Sequence, residues 1–299
     1  MSRRGTVSLG VPLLVAALLL GGCGTPRSGD LGPAPTAPAT SAAPTYRPEP
    51  TPTSAGEPAP PPTNRPPRPS AASSAGTRRP DPVTIELWYV RAGLLVPTRR
   101  TRPATIATSR LALTELAAGP SPAEAATGMT TLLPAGVEVT RIADGVATLQ
   151  VPSLGDAATR RLREAQVVWT LTQFPTVRQV RLDGGSPVDR ADYADLLPPI
   201  VVTGPIPGER VSSPLVVSGT ATVFEATVSV RVLDAAGREV ATGFGTASCG
   251  SGCRGGYRVQ VGWRTTREQK GTVEVYEVSA RDGARINTMA VPVLLAPRD

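Results

Sequence analysis

Residues 83–90, with the sequence Val83-Thr84-Ile85-Glu86-Leu87-Trp88-Tyr89-Val90, mark the point at which the chain acquires the composition of a folded domain. β-Branched and aromatic residues dominate this stretch, and such residues favour extended strands. Ala92-Gly93 follows and provides a turn into a second apolar stretch, Leu94-Leu95-Val96-Pro97. The sequence therefore predicts an ordered region that begins near Val83 with two successive strands.

The stretch before this region has the opposite composition. Residues 24–80 contain 16 of the 33 prolines of the chain, and alanine, serine and threonine fill most of the remaining positions. Because so few residues could build a core, residues 23–80 are predicted to form a disordered Pro/Ala/Ser/Thr-rich tether. Fully extended at roughly 3.1 Å per residue, it would reach roughly 180 Å. The folded part could then lie well away from the point of attachment.

The first 22 residues have the features of an export signal. Arg3 and Arg4 form a positively charged start, Val11 to Leu20 form an apolar core, and Leu20-Gly21-Gly22-Cys23 follows. The apolar core has only about half of the roughly 20 residues that a transmembrane helix needs. The last four residues resemble a lipobox, which implies a diacylglyceryl group on the thiol of Cys23. Residues 1–22 are thus predicted to be a lipoprotein signal peptide, and the protein to be lipid-anchored at the extracytoplasmic face of the cell membrane. An ordinary signal peptide with an incidental cysteine is the alternative.

Charge and histidine content exclude several classes of function. The formal net charge is +7, but the tether and the signal carry most of it: residues 81–299 hold 23 basic and 21 acidic side chains. Arginines do not cluster among aromatic residues as they do on nucleic-acid-binding surfaces, so no nucleic-acid partner is expected. The chain contains no histidine. Ser-His-Asp and Cys-His catalysis, the common zinc sites and haem ligation by histidine are therefore excluded, and no cofactor or metal site is predicted.

Two further cysteines lie close together in Cys249-Gly250-Ser251-Gly252-Cys253. Export would place them in an oxidising compartment, where a structural disulfide is the expected state. A metal site would need a third soft ligand nearby. A redox pair would normally lie at a helix N-terminus rather than between glycines and serines. We therefore predict a disulfide that makes this loop rigid.

Strands and helices alternate in residues 81–199. Pro103 precedes a helical pattern, and Ile106, Leu113 and Leu116 are predicted to lie on its apolar face. Asp144-Gly145 suits the tight turn of a hairpin. The predicted elements after the first two strands are a helix over 104–118, a hairpin over 137–143 and 146–151, a helix over 157–173, a strand over 177–182 and a short helix over 189–197. Together they indicate an α+β domain in which two helices pack on one face of a sheet.

Three segments of this region resemble the GerMN domain of sporulation and germination lipoproteins. They are the run from Ala104 to Pro120, the segment Leu133-Pro134-Ala135-Gly136-Val137 with its Asp144-Gly145-Val146-Ala147 turn, and Val168-Trp169-Thr170-Leu171-Thr172-Gln173-Phe174-Pro175. The resemblance covers about 115 residues in the right order. It implies an α+β module of extracytoplasmic proteins, related in shape to domains that build rings in secretion and sporulation assemblies. It implies no catalytic residues.

Residues 200–299 change to a period of two, which is most regular in Tyr257, Val259, Val261 and Trp263. Short predicted strands recur with turn signals such as Asp282-Gly283 between them. They cover 200–203, 215–219, 226–233, 239–244, 256–263, 271–279 and 288–295. About 100 residues with this spacing indicate an antiparallel, all-β immunoglobulin-like sandwich.

Two segments of this second region resemble the immunoglobulin-like domain of bacterial spore-germination proteins. They are residues 213–226, which begin Ser213-Pro214-Leu215-Val216, and residues 275–283. That family often follows a GerMN domain directly. Phe224 is interpreted as a core anchor, and Glu225 is expected to accept a hydrogen bond from a neighbouring loop rather than to bind a partner.

A non-catalytic envelope module is the function that these features favour. The protein would be held at the membrane while its two domains bind an envelope protein or peptidoglycan, possible settings being sporulation, germination or wall assembly. The alternative is a cell-wall hydrolase that uses carboxylates only. The candidate catalytic carboxylates of such a hydrolase are four glutamates, each isolated on a solvent-facing position: Glu86, Glu115, Glu138 and Glu164. A lipid or small-molecule carrier would need a sizeable apolar cavity. Thr170, Thr172 and Gln173 are interpreted as boundary residues of a helix. The oligomeric state is left open.

Overall fold

The computed structural model describes residues 81–152 and 155–297. The predicted signal peptide, the predicted lipidation site Cys23 and the tether lie outside these residues. The described residues belong to one compact unit. Within the described ranges, no helix is both long and apolar enough to cross a membrane.

A long β-hairpin begins the ordered region, as residues 83–90 predict. Strand β1 (Val83–Arg91) pairs antiparallel with β2 (Leu94–Arg102), and the register runs from Val83 opposite Arg102 to Arg91 opposite Leu94. Ala92 and Gly93 form the turn, both with positive φ. The second strand is longer than the predicted apolar stretch, because its polar second half continues to pair with β1.

A second, separate sheet contains the other predicted strands of this region. Strand β3 (Val139–Ala143) pairs antiparallel with β4 (Val146–Leu149), and β4 pairs parallel with β5 (Gln179–Leu182). The predicted Asp144-Gly145 turn is present, with φ of 53° and 81°. The α+β class is therefore confirmed, but the strands form a two-stranded and a three-stranded sheet rather than a single one.

Helix α1 (Thr108–Ala118) begins four residues later than the pattern predicts. The hydroxyl of Thr105 accepts a hydrogen bond from the backbone N–H of Ala107 (3.1 Å), and this local turn competes with helical geometry. Ile106 is consequently fully exposed, so its predicted place on the buried face is wrong. Leu113 and Leu116 are buried as expected.

A short helix, α2 (Pro122–Ala125), occupies a segment predicted only as a link. Ser121 accepts a hydrogen bond from the N–H of Glu124, and the Glu124 carboxylate accepts one from the N–H of Ser121 (2.7 Å). This reciprocal arrangement is a capping box, and the Ser-x-x-Glu spacing was available in the sequence as its signal.

Helix α3 (Ala157–Leu171) packs against β1, β2 and β5. The Asp156 carboxylate caps its start by accepting a hydrogen bond from the N–H of Thr159 (2.8 Å). The helix ends two residues before the predicted limit, because Gln173 turns away to bind β1. The predicted helix over 189–197 is a 3-10 helix at Ala191–Leu196.

The second region contains all seven predicted strands and one short additional strand. They are β6 (Ile200–Gly204), β7 (Arg210–Val211), β8 (Leu215–Ala221), β9 (Thr227–Leu233), β10 (Glu239–Thr246), β11 (Gly255–Val261), β12 (Gln269–Val278) and β13 (Arg285–Leu295). One sheet has the order β10-β9-β12-β13-β7 and the other β11-β8-β6. All pairs are antiparallel except β13 with β7. The core between the sheets is mainly valine, as in Val228, Val230 and Val232.

The interpretation of Phe224 as a core anchor is wrong, since its side chain is 52% exposed. Phe224 lies in a 3-10 turn in which Glu225 and Ala226 have positive φ, and Val223 and Ala226 occupy the buried positions instead. Glu225 is exposed and its carboxylate accepts no hydrogen bond from any described residue, contrary to expectation. The loop is held by Glu277, which accepts a hydrogen bond from the N–H of Phe224 (2.8 Å).

Strand β6 joins the two regions. Val201 packs into the core of the first region, whereas its neighbours Ile200 and Val202 pack into the core of the second. The hydroxyl of Tyr257 donates a hydrogen bond to the carbonyl of Val201 (3.1 Å). Because a strand presents alternate side chains to opposite faces, one strand serves both cores.

Candidate functional site

The four glutamates considered for catalysis each have a different partner. Glu86 accepts a hydrogen bond from the Trp88 indole (2.7 Å), and Glu164 accepts one from the Tyr193 hydroxyl (3.1 Å). Glu115 forms a two-point ion pair with Arg102, and Glu138 pairs with Arg110 on the surface. The solvent-facing assignment of Glu115 is thus wrong, since its side chain is only 18% exposed. No two of the four glutamates share a hydrogen-bond or ion-pair partner in the described part of the chain.

The most buried carboxylate was not singled out in the sequence. Glu124 is 1% exposed and accepts hydrogen bonds from Thr98, from two nitrogens of Arg100 and from the N–H of Ser121. Burial acts to raise the pKa of Glu124, but the hydrogen bonds from Arg100, Thr98 and Ser121 outweigh it and lower the pKa. A general acid would require the reverse direction. Glu124 is therefore a structural anion.

Two polar side chains of α3, and a third just beyond its C-terminal end, bind the free edge of β1. Gln166 donates to the carbonyl of Trp88 (2.9 Å), Thr170 accepts from the N–H of Trp88 (3.2 Å), and Gln173 bonds both the N–H and the carbonyl of Glu86 (2.7 Å each). Their spacing matches successive turns of the helix, so they face one strand. Thr170 is completely buried, which corrects its assignment as a boundary residue. These side chains form the hydrogen bonds to the backbone of β1 that a neighbouring strand would otherwise form.

A layered cluster of four side chains lies beside this edge. The Arg190 guanidinium lies 4.6 Å from the centre of the Trp169 ring, and the Trp169 and Trp88 rings lie 4.5 Å apart. The Trp88 indole donates a hydrogen bond to the carboxylate of Glu86, the fourth side chain of the cluster. Arg190 also donates to the hydroxyl of Thr172 (2.8 Å) and to the carbonyl of Trp169 (3.0 Å). The arginine therefore closes the C-terminal end of α3 as well as covering the tryptophan.

The cluster opens into a cleft where the two folded regions meet. One cavity of about 510 Å³ has walls from both regions, including Thr84, Gln173 and Arg190 from the first and Thr203 and Ser218 from the second. A second cavity of about 440 Å³ shares Thr172, Gln173 and Arg190 and continues past Phe174 and Pro175. Arg99 lies in the first cavity and is neutralised by both carboxylate oxygens of Glu209 (2.7 and 2.8 Å). The two adjoining cavities form a groove lined largely by polar groups: the first lies at the junction, a common position for binding sites, and the second extends along the first region.

The electrostatics of Arg190 differ from those of its neighbours. Burial lowers the pKa of the Arg190 guanidinium, and the charge of Glu86 acts in the opposite direction. Within the described residues Arg190 has no carboxylate at ion-pair distance. Nothing in the sequence around Asp189-Arg190 distinguishes this arginine from the 29 others, because its environment is created by α3 and β1.

The predicted disulfide between Cys249 and Cys253 is present. The residue directly after it, Arg254, donates to the carbonyl of Pro198 (2.7 Å) and, at longer range, to the carbonyl of Thr220. The disulfide loop thus holds an arginine on the segment that connects the two regions. No cluster of three or more metal-ligating side chains occurs among residues 81–152 and 155–297.

Comparison with known protein families gives one match for each region. A model of a family described as sporulation and spore germination matches residues 86–186. A model described as an immunoglobulin-like domain of bacterial spore germination matches residues 199–284. A search of curated proteins found no match.

Two of the solved structures with similarity to this chain come from the sporulation protein GerM of Bacillus subtilis. Its first GerMN domain is 24% identical, with a TM-score of 0.29, covering 36% of this chain and 95% of that chain. Its tandem GerMN domains are 17% identical, with a TM-score of 0.32, covering 73% of this chain and 62% of that chain. The two family matches confirm both resemblances found in the sequence. This chain therefore joins a GerMN domain of the sporulation and spore germination family to an immunoglobulin-like domain of the bacterial spore germination family.

Proposed function

We propose that this protein is a membrane-anchored, non-catalytic lipoprotein of the cell envelope whose two domains bind an envelope protein or peptidoglycan. The observation that carries the proposal is the cleft at the domain junction, where a partly buried cation, Arg190, lies among hydroxyl and amide groups. Such a site can hold a ligand. The carboxylates that line the two adjoining cavities, Glu86 and Asp189, each already accept a hydrogen bond.

The directions of the pKa shifts support a binding role. Five carboxyl groups of the described chain have a shifted pKa, and all five are lowered: Glu124, Asp156, Asp195, Asp234 and Asp282. Hydrogen bonds from arginine, serine or threonine side chains or from backbone N–H groups lower the pKa of each of them. A carboxylate held in its charged form by such bonds does not donate a proton near neutral pH.

The anchoring part of the proposal rests on Leu20-Gly21-Gly22-Cys23. Its test is metabolic labelling with a fatty acid that carries a reactive tag, applied to cells that express the unaltered chain or the Cys23→Ser variant. We expect label in the unaltered protein only, and release of the variant from the membrane fraction. Label in neither protein, or membrane retention of both, would contradict lipid anchoring.

The binding part is tested by crosslinking in intact cells. A photoreactive residue placed at Thr84, which lines the cleft, should yield a specific adduct with a protein or with wall fragments. The same residue placed at Arg160, exposed near the start of α3, is the control position. Equal adducts from both positions would argue against the cleft. Release of soluble sugar from purified wall by the protein would contradict the non-catalytic assignment.

A further inference from the structure

Arg190 is a partly buried cation, and no carboxylate of the described residues lies at ion-pair distance from its guanidinium. Other partly buried arginines of the two domains do have such partners: Arg100 binds Glu124, Arg102 binds Glu115 and Arg231 binds Glu274. Burying a cation without an anion costs free energy, and stacking on an aromatic ring offsets only part of that cost. Binding of an anionic ligand at the guanidinium would offset the rest of this free-energy cost.

The guanidinium of Arg190 keeps donors available for such a ligand. A guanidinium has five N–H groups. Arg190 uses Nε on Thr172 and Nη2 on the carbonyl of Trp169, and Nη1 makes no hydrogen bond to any described residue. Arg254 and Arg91 are also partly buried and have no carboxylate at ion-pair distance among the described residues, but Arg254 is bound to the carbonyls of Pro198 and Thr220, and Arg91 donates to the sulfur of Met289. Arg190 differs because it lines two adjoining cavities.

The shape and lining of the groove indicate the size and chemistry of the ligand. The two cavities, about 510 and 440 Å³, each have the volume of a site for a small molecule or a few linked residues. Pro97 contributes apolar surface to the first, and Phe174 and Pro175 contribute it to the second. Arg190 stands at the wall that they share. An elongated ligand could therefore place short aliphatic groups on either side of one anionic group.

The acidic residues of the groove limit the charge of the ligand. Glu86 lines the first cavity and Asp189 the second. Both carboxylates already accept hydrogen bonds, Glu86 from the Trp88 indole and Asp189 from the N–H of Ala191 (2.8 Å). They would repel a polyanion, whereas a single carboxylate at Arg190 would be attracted by the nearer cation. A planar guanidinium also matches a carboxylate with two parallel hydrogen bonds.

We propose that Arg190 recognises the carboxylate of a short peptide-like ligand that lies in the groove between the two domains. This inference rests on the proposed binding function and specifies its chemistry. Two sources could supply such a group: the peptide side chains of the wall, or the C-terminal end of an envelope protein.

Tryptophan fluorescence provides a direct test, since Arg190 lies over the Trp169 ring and Trp169 contacts Trp88. The full chain carrying Cys23→Ser would be titrated with N-acetyl-trialanine and with the same peptide ending in an amide. We expect a saturable change with the carboxylate form, and binding of the amide at least about tenfold weaker, because one charge-assisted hydrogen-bond pair is lost. Equal binding of the two peptides, or no binding of the carboxylate form, would overturn the proposal.

Variants separate recognition from stability. Arg190→Gln should weaken carboxylate binding at least about tenfold, whereas Arg160→Gln, the same change at an exposed position of α3, should leave it unchanged. Glu86→Gln should strengthen binding severalfold, because it removes a nearby negative charge while keeping an acceptor for Trp88. Improved binding cannot arise from misfolding, so this variant decides the matter if Arg190→Gln is unstable. Unchanged or weaker binding by Glu86→Gln, or an equal loss in Arg160→Gln, would contradict the role of Arg190.

Two further titrations identify the source and separate this inference from the general one. Soluble peptide-bearing wall fragments that compete with N-acetyl-trialanine would assign the ligand to the wall, and competition only by the C-terminal peptide of a crosslinked protein would assign it to that protein. A crosslinked partner whose binding survives Arg190→Gln would reject carboxylate recognition while leaving the envelope-binding function in place. If no crosslink forms from the cleft although the peptide binds tightly, carboxylate recognition by Arg190 would stand and the envelope-binding function would be rejected.

Discussion

The two domains complete their cores by different means. In the immunoglobulin-like domain, backbone groups pair strand to strand, the interior is mainly valine and other apolar side chains, and the buried polar residues are Asp234 and Glu277, each 7% exposed. In the GerMN domain, buried polar side chains take part: Gln166 and Thr170 are fully buried, and Glu124 is 1% exposed. They bond the free edge of β1 and the start of α2.

This difference shows where each domain is vulnerable. A valine core loses contacts gradually when a side chain is shortened. A buried polar side chain that serves specific backbone groups leaves them without partners when it is lost, and each unsatisfied group carries its own cost. The GerMN domain should therefore tolerate volume changes better than changes of polarity.

Removal of the Glu124 carboxylate should have the largest effect. Glu124→Ala leaves Arg100 partly buried without its anion, and we expect a loss of about 3–5 kcal/mol in the free energy of unfolding. Urea denaturation followed by circular dichroism would measure it. The control is Glu138→Ala, since its pair with Arg110 is exposed on both sides and should contribute about 0–1 kcal/mol. Similar losses in both variants would refute the special role of the buried pair.

A change of polarity at Gln166 should come next. Gln166→Leu keeps most of the volume but leaves the N–H of Leu132 and the carbonyl of Trp88 without their partner. At about 1–2 kcal/mol for each of the two unsatisfied groups, the loss should be about 2–4 kcal/mol. The matched variant Gln260→Leu changes an exposed residue of β11 and should stay within about 0.5 kcal/mol. If Gln166→Leu proved neutral, the side chain would not be needed at the edge of β1.

Loss of the disulfide should have a smaller and local effect. Cys249 and Cys253 close a very short loop, so replacing both with serine should cost at most about 2 kcal/mol. Because Arg254 would be held less firmly on Pro198, hydrogen exchange should increase around residues 198–222. Arg254→Gln in the oxidised protein should reproduce that increase. An unchanged exchange pattern in the double serine variant would show that the loop does not support the junction.

The smallest effect near neutrality concerns pH. The pKa of Glu124 is lower in the folded protein than in the unfolded chain, so its contribution to stability is complete above the ordinary glutamate pKa of about 4.3. The contribution disappears as the pH falls through the lower folded-state pKa. Unfolding measured from pH 7 to pH 3 should thus show no loss from this group until acid conditions, and Glu124→Gln should flatten the acid part of the profile. An unaltered acid profile in that variant would contradict the direction of the shift.

The extent of successful prediction also differs between the domains. All seven strands of the immunoglobulin-like domain were predicted, because a period of two reports directly which side chains face the core. In the GerMN domain the order of elements was predicted, but the start of α1, the existence of α2 and the split into two sheets were not. Thr105 and Ser121 decide the first two through local hydrogen bonds that hydrophobic periodicity does not report.

Sequence patterns could not predict the candidate site, for a related reason. Arg190 acquires its character from Trp169 and Thr172, which lie about 20 residues earlier in the chain, and from Glu86 on another strand. Thr170 and Gln173 were noticed but assigned to a helix boundary, since a polar residue on a helix most often faces solvent. Only the position of the edge of β1 shows that they face a backbone instead.

The sequence by itself determined the succession of two domains, the class of each fold, the disulfide and the absence of histidine chemistry, because these follow from composition and from the local periodicity of apolar residues. The tertiary structure alone decided which polar residues became buried, which strand edge α3 covers, and that β6 contributes to both cores. It also placed Arg190 in a cleft where none of the described carboxylates lies at ion-pair distance from it. Such features depend on contacts between residues far apart in the chain, and the free energy of a charge or a hydrogen bond is set by those surroundings.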